Sequence, residues 1–193
     1  MTALQLTALG LMAIFYTAYF TKMLFQRRKG VQTDQIGKGS KARAVLRIEK
    51  LMKLATYAIV PVELVSILWN FQIWETPALC WSGLVITTAG ILIFILAMVT
   101  MRDSWRAGIP ESDKTELVTT GIYRLSRNPA FLGFDLMYLG LLTAFFNPIH
   151  LVFVIFAVVM LHLQILQEEQ FLTAVFEKEY LKYKKRTGRY FII

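Results

Sequence analysis

The chain contains five long stretches almost without charge, and these limit its folds more than any other feature. Met1 to Thr21 carries no charge, Leu54 to Trp74 only Glu63, Thr76 to Met101 none, Asn128 to Phe146 only Asp135, and Ile149 to Gln167 none. A bilayer core takes about 20 mostly apolar residues per helix. The stretches therefore predict an all-α polytopic membrane protein with about five transmembrane helices. Asn147-Pro148 divides the last apolar region into a helical hairpin. Such a chain is 56% hydrophobic, above the ~45–50% usual for soluble domains.

Lys and Arg orient the spans. Segment 22–53 holds ten, 102–127 holds five, and the tail after 177 holds six, which accounts for all 21. Segments 70–77 and 147–149 hold none. Five spans then put the N-terminus outside and the C-terminus in the cytosol. Membrane topology accounts for the net charge of +8 without nucleic acid as a partner. The bilayer, with its anionic headgroups, is the expected partner of the basic clusters. The charges follow the first apolar run, so that run reads as a span and not as a cleavable leader. Cys80 is the only cysteine, which excludes an intrachain disulfide and a cysteine-rich metal site. No metal site is expected.

Two parts are expected, 1–101 with the first helices and a basic loop, and 102–193 carrying the chemistry. Residues 26–44 form a polar loop with no recognisable motif, and 45–53 reads as an amphipathic lead-in to the second helix. Pro61 predicts a kink. Glu63 is a functional candidate, because carboxyls inside a membrane are costly, or else a helix-facing residue near the outer interface. Asp135 has the same two readings near the cytosolic edge. The run from Glu168 to Arg186 keeps helical spacing, with Leu172, Val175, Phe176, Tyr180 and Tyr183 near one face. It predicts a helix that leaves the membrane and lies against 102–130.

Two positions stand out chemically. Arg127 precedes Asn128-Pro129, and Pro129 suits the first turn of a helix. An anion site at that helix N-terminus follows, or a snorkelling Arg at headgroup level. Glu168 and Glu169 sit at the cytosolic exit of the fifth span, with Gln164 on the same face as Glu168. The hairpin brings Arg127 and Glu168 to one level, as either a site facing cytosol and lipid or an interface salt bridge. His162, alone on an apolar helix, reads as a satisfied buried residue. No nucleophile elbow, phosphate loop or zinc-binding helix motif is present.

The ordered set Gly121-Ile122-Tyr123, Arg127-Asn128-Pro129-Ala130-Phe131-Leu132-Gly133, Asn147-Pro148, Glu168-Glu169 and Glu179-Tyr180-Leu181-Lys182-Tyr183-Lys184-Lys185-Arg186 resembles the isoprenylcysteine carboxyl methyltransferase family and related phospholipid-methyltransferase-like enzymes. The resemblance covers about residues 102–193. It implies a membrane enzyme that moves a methyl group from S-adenosyl-L-methionine to a lipophilic or lipidated acceptor at the cytosolic face. It also implies cofactor-binding roles for Thr115, Glu116, Leu117, Val118, Tyr123, Asn128, Pro129, Ala130, Phe131 and Glu168, and a substrate-contacting role for Gln164. Arg127 and Glu168 are the catalytic candidates. Arg127 would hold the methionine carboxylate and Glu168 the ribose hydroxyls. Three positions depart from the family pattern: Asn128 replaces a His, Phe131 a Tyr, and Gln164 an Arg. The last change removes the charge expected to meet a prenylcysteine carboxylate. Membrane sterol reductases, which bind NADPH beside a similar hairpin, and non-catalytic scaffolds are the alternatives. The former usually carry more spans, and the latter leave the ordered motifs unexplained.

Overall fold

The computed structural model describes residues 1–73, 76–109 and 116–191. Thr115 lies outside them. The described residues form five α-helices and no strand: α1 (Ala3–Arg28), α2 (Arg43–Leu68), α3 (Pro77–Met101), α4 (Pro129–Ala144) and α5 (Pro148–Arg186), with short 3₁₀ turns at Arg102–Ser104 and Gly121–Arg124. Four helices are long and apolar enough to cross a membrane, and the fifth, α4, has 16 residues. At 1.5 Å per residue α4 spans about 24 Å, short for a bilayer core of about 30 Å. The chain is thus a multi-pass integral membrane protein. The lead-in at 45–53 merges into α2, and Pro61 sits inside that helix without ending it.

Helix α5 has 39 residues, about 58 Å of straight helix, nearly twice the hydrocarbon thickness. It cannot stay straight within the bilayer. The helix breaks at Glu177, whose φ of 39° and ψ of −115° are not helical. Beyond the break the chain lies against the 121–127 turn, where the Tyr183 hydroxyl donates to the Tyr123 carbonyl. The expected cytosolic helix is therefore the far end of α5.

The hairpin joins α4 to α5, but α4 packs most extensively on α3, and α5 on α2. The packing thus runs across the expected boundary at 101/102. Four glycines explain the α3–α4 contact. A Cβ on Gly83 would sit 2.5 Å from the Gly140 carbonyl oxygen, and one on Gly90 would sit 2.7 Å from the Gly133 carbonyl oxygen. The seven-residue spacing on both helices puts each pair on one face, and small residues let membrane helices approach this closely. Any side chain there has to part the helices. Below the glycines, Phe15, Phe94 and Phe134 join α1 to the pair, with ring centroids 4.6 to 5.0 Å apart.

Candidate active site

Two cavities meet at the basic end of the bundle. A cleft of about 130 Å³ is walled by Glu116, Leu117, Val118 and Tyr123, by Arg127, Asn128, Ala130 and Phe131, and by Glu168, Phe171, Tyr180 and Tyr183. A larger apolar cavity of about 500 Å³ runs between α1, α2 and α4. Trp105, Arg106, Gly108, Ala130, Phe131 and Glu168 line both.

Most of the residues given catalytic, cofactor or substrate roles from sequence therefore face one space. Two described ones do not. Pro129 starts α4 and is absent from both linings. Gln164 is fully buried behind Glu168 and donates to its Oε1 at 3.0 Å. The shared helix face expected for these two residues is present. Gln164 touches neither cavity and acts on Glu168.

Arg127 is engaged differently from its expected carboxylate-holding role. Its Nε and Nη2 donate to Glu169 Oε1 at 3.1 and 2.8 Å. Its Nη1 donates to the carbonyls of Lys184 and Thr187. The partner of Arg127 is thus the second Glu of the pair, whereas Glu168 turns to the cavities. The side chains of Arg127 and Glu169 are only 7% and 4% exposed, so this is a buried pair and not a surface bridge. Glu169 also accepts from Asn128 Nδ2 at 3.2 Å and from Arg189 Nη2 at 3.0 Å.

The tail completes this network. The Arg127 amide donates to the Gly188 carbonyl, and Ser126 Oγ and Asn128 Nδ2 donate to the Arg189 carbonyl. The ring of His162 hydrogen-bonds the Tyr190 hydroxyl at 2.8 Å, so His162 is satisfied as expected, but it is half-buried and not buried. Residues 187–190 thereby strap the start of α4 to α5.

The local structure at α4 suits an anion. Asn128 is its N-cap, but the side chain goes to Glu169 and the tail and does not cap the helix. Ala130 and Phe131, in the first turn and on the cleft wall, carry N–H groups without intrahelical partners. Such groups attract carboxylates and phosphates. Tyr123 is 6% exposed. Burial pushes its phenol up, and Tyr183 and Glu168 add to the shift, so the ring packs as a neutral surface.

The wall shared by both cavities depends on residues that sequence reading passed over. Ala107 pairs with the 33–35 strand-like turn through hydrogen bonds of 2.8 and 3.0 Å. Gly108 has a φ of 86°, and a Cβ there would meet the Ile36 nitrogen at 2.9 Å. Only glycine meets both demands easily. Gln26, 1% exposed, donates to the Trp105 carbonyl and accepts from Thr33. Glu49, fully buried, accepts from the Ile109 and Gly37 amides and from Lys41. The polar loop after α1 is thus a buttress for the site. Glu49, the only acidic residue among the basic ones of 43–53, was the available signal.

Comparison with known proteins adds the chemistry. Residues 82–174 match the isoprenylcysteine carboxyl methyltransferase (ICMT) family. The protein-S-isoprenylcysteine O-methyltransferase of Saccharomyces cerevisiae is 39% identical over 79 residues, covering 40% of this chain and 33% of the yeast protein. A probable protein-S-isoprenylcysteine O-methyltransferase of Oryza sativa subsp. indica is 34% identical over 109 residues, covering 54% and 56%. The chain thus spans between a third and just over half of the length of these curated relatives. The matched region contains α4, both carboxylates and the walls of the cleft from Trp105 to Phe171.

Proposed function

We propose that the chain, whose residues 82–174 match the isoprenylcysteine carboxyl methyltransferase family, is an integral membrane methyltransferase using S-adenosyl-L-methionine to methylate a lipophilic acceptor. The observation that supports this most directly is the meeting of a cleft that carries Glu116, Arg127 and Glu168 with an apolar interhelical cavity at Glu168 and Phe131. A water-borne donor and a lipid-borne acceptor need such a junction.

The residues present fit the cofactor by chemical type. The first-turn amides of Ala130 and Phe131 would receive its carboxylate. Glu168 would accept from ribose hydroxyls, held in place by Gln164. Leu117, Val118 and Tyr123 offer apolar surface to the adenine. Arg127 acts through Glu169 and Asn128, fixing the start of α4 and the tail against each other. The cleft is small for a nucleoside, so binding requires it to widen. Tyr180 and Tyr183, on the wall of the cleft, lie beyond the break at Glu177.

When bound, S-adenosyl-L-methionine supplies an electrophilic sulfonium methyl. A carboxylate acceptor would bring no proton to remove. The protein therefore needs no general base for a carboxylate. Its contribution is alignment of the two partners and exclusion of water by Trp105 and Phe131, which line both cavities.

The decisive experiment is calorimetry on the detergent-purified protein with S-adenosylhomocysteine and NADPH in separate titrations. Binding of the first and indifference to the second is expected. NADPH binding with no response to S-adenosylhomocysteine would transfer the chain to the reductases. The distribution of Lys and Arg supports an orientation with the cleft in the cytosol and the N-terminus outside. Cysteines introduced at Asn70 and at Arg189 should then label from opposite sides, and labelling of both from one side defeats this orientation.

A further inference from the structure

We propose that the membrane-buried end of the apolar cavity is a hydrogen-bonding site, and that the acceptor lipid carries a hydroxyl or carbonyl oxygen near the far end of its chain. This rests on reading the cavity as the acceptor's channel. Three helices deliver polar groups to that end. Tyr16 of α1 and Tyr138 of α4 line the cavity, beside Val60 and Pro61 of α2. Glu63, three residues beyond the lining Val60, shares its face of α2 and is fully buried, as is Tyr138.

The hydroxyls of Tyr16 and Tyr138 and both carboxyl oxygens of Glu63 are buried without a hydrogen-bond partner among the described residues. Folded proteins leave few buried polar groups unpaired, and each one asks for an explanation. The explanation must be stronger inside a bilayer, where no solvent stands in. A purely hydrocarbon tail would fill the cavity and leave all three groups unpaired. An oxygen-bearing tail pairs with them, because phenols donate and the carboxyl accepts. The dimensions also fit a chain with two polar ends. Tyr138 lies seven residues beyond Phe131 on α4, about 10 Å along the helix axis. The head of the acceptor would sit at Phe131 and Glu168, and the second polar group two turns deeper.

The test compares decanoic acid, ω-hydroxydecanoic acid and ω-aminodecanoic acid, titrated into the full-length protein in detergent. The ω-hydroxy acid should bind about fivefold tighter than decanoic acid, the worth of one net hydrogen bond. The preference should vanish in Tyr138→Phe and in Glu63→Leu. Both variants should keep wild-type affinity for S-adenosylhomocysteine, which shows that they are folded and that the cleft is intact. Equal or tighter binding of decanoic acid by the wild type overturns the proposal. So does a preference for the ω-amino acid, which would mark a cation site at Glu63. A hydroxyl preference that survives both substitutions overturns it as well. The S-adenosylhomocysteine titration of the wild type reports on the methyltransferase reading alone, so the two fail separately.

Discussion

Glu169→Ala is expected to destabilise the folded protein by about 3–5 kcal/mol, the cost of leaving a buried charge without its partner. The adjacent Glu168→Ala should cost far less stability and should weaken S-adenosylhomocysteine binding tenfold to a hundredfold, as loss of a charge-assisted hydrogen bond does. The difference follows from where the two side chains point. Glu169 receives Arg127, Asn128 and Arg189, and its removal strands a guanidinium that is 7% exposed. Among the described residues Glu168 has one donor, Gln164, and it otherwise faces the cavities. Arg127→Ala should follow Glu169→Ala, lowering the melting midpoint more than it lowers the affinity of the folded fraction. Thermal melts without ligand, paired with ligand titrations below the melting midpoint, separate these effects. A stable Glu169→Ala with lost affinity, or an unstable Glu168→Ala with intact affinity, would reverse the assignment.

Glu49→Ala is expected to have an effect of the same size, about 3–5 kcal/mol, although Glu49 lies outside the region that matches the family. Its carboxylate is fully buried and pairs with Lys41 at 2.8 Å, itself 7% exposed. It also holds the amides of Gly37 and Ile109 at 2.7 and 3.1 Å. Substitution leaves an ammonium and two backbone donors buried without their acceptor. Ile109 and Gly108 line the cleft, so S-adenosylhomocysteine affinity should fall together with stability. Glu49→Gln, which keeps an acceptor but loses the charge, should lie between Ala and wild type in both measurements. A melting midpoint for Glu49→Ala equal to that of the wild type would remove the buttress role of the 29–41 loop.

Much of the molecule was legible before any coordinates. Uncharged runs of about twenty residues leave a chain little choice but membrane helices, because unpaired backbone groups are too costly in hydrocarbon. Helical spacing continued from Glu168 to Arg186 beyond the last apolar run, so a helix that leaves the membrane and lies against 102–130 was expected. The i,i+4 spacing of Gln164 and Glu168 put them in contact. The ordered motif residues Leu117, Val118, Tyr123, Asn128, Ala130 and Phe131 gather on one wall, as their order within a hairpin implies.

What sequence determined by itself was which segments are helical, how the basic loops segregate and which motif residues share a level. These follow from local hydropathy, charge and spacing, and no partner needs to be known to read them. Tertiary structure alone decided which Glu of the adjacent pair meets Arg127. Neighbours on a helix differ by about 100° in direction, and the choice fell to Glu169 because the tail returns Arg189 and the carbonyl of Thr187 to the same spot. It also decided that α4 leaves its hairpin partner for α3, since four glycines matter only once their helices face each other. It decided that Glu49 supports a wall sixty residues away. Each of these is a contact between distant segments, and its energy depends on burial that no single segment specifies.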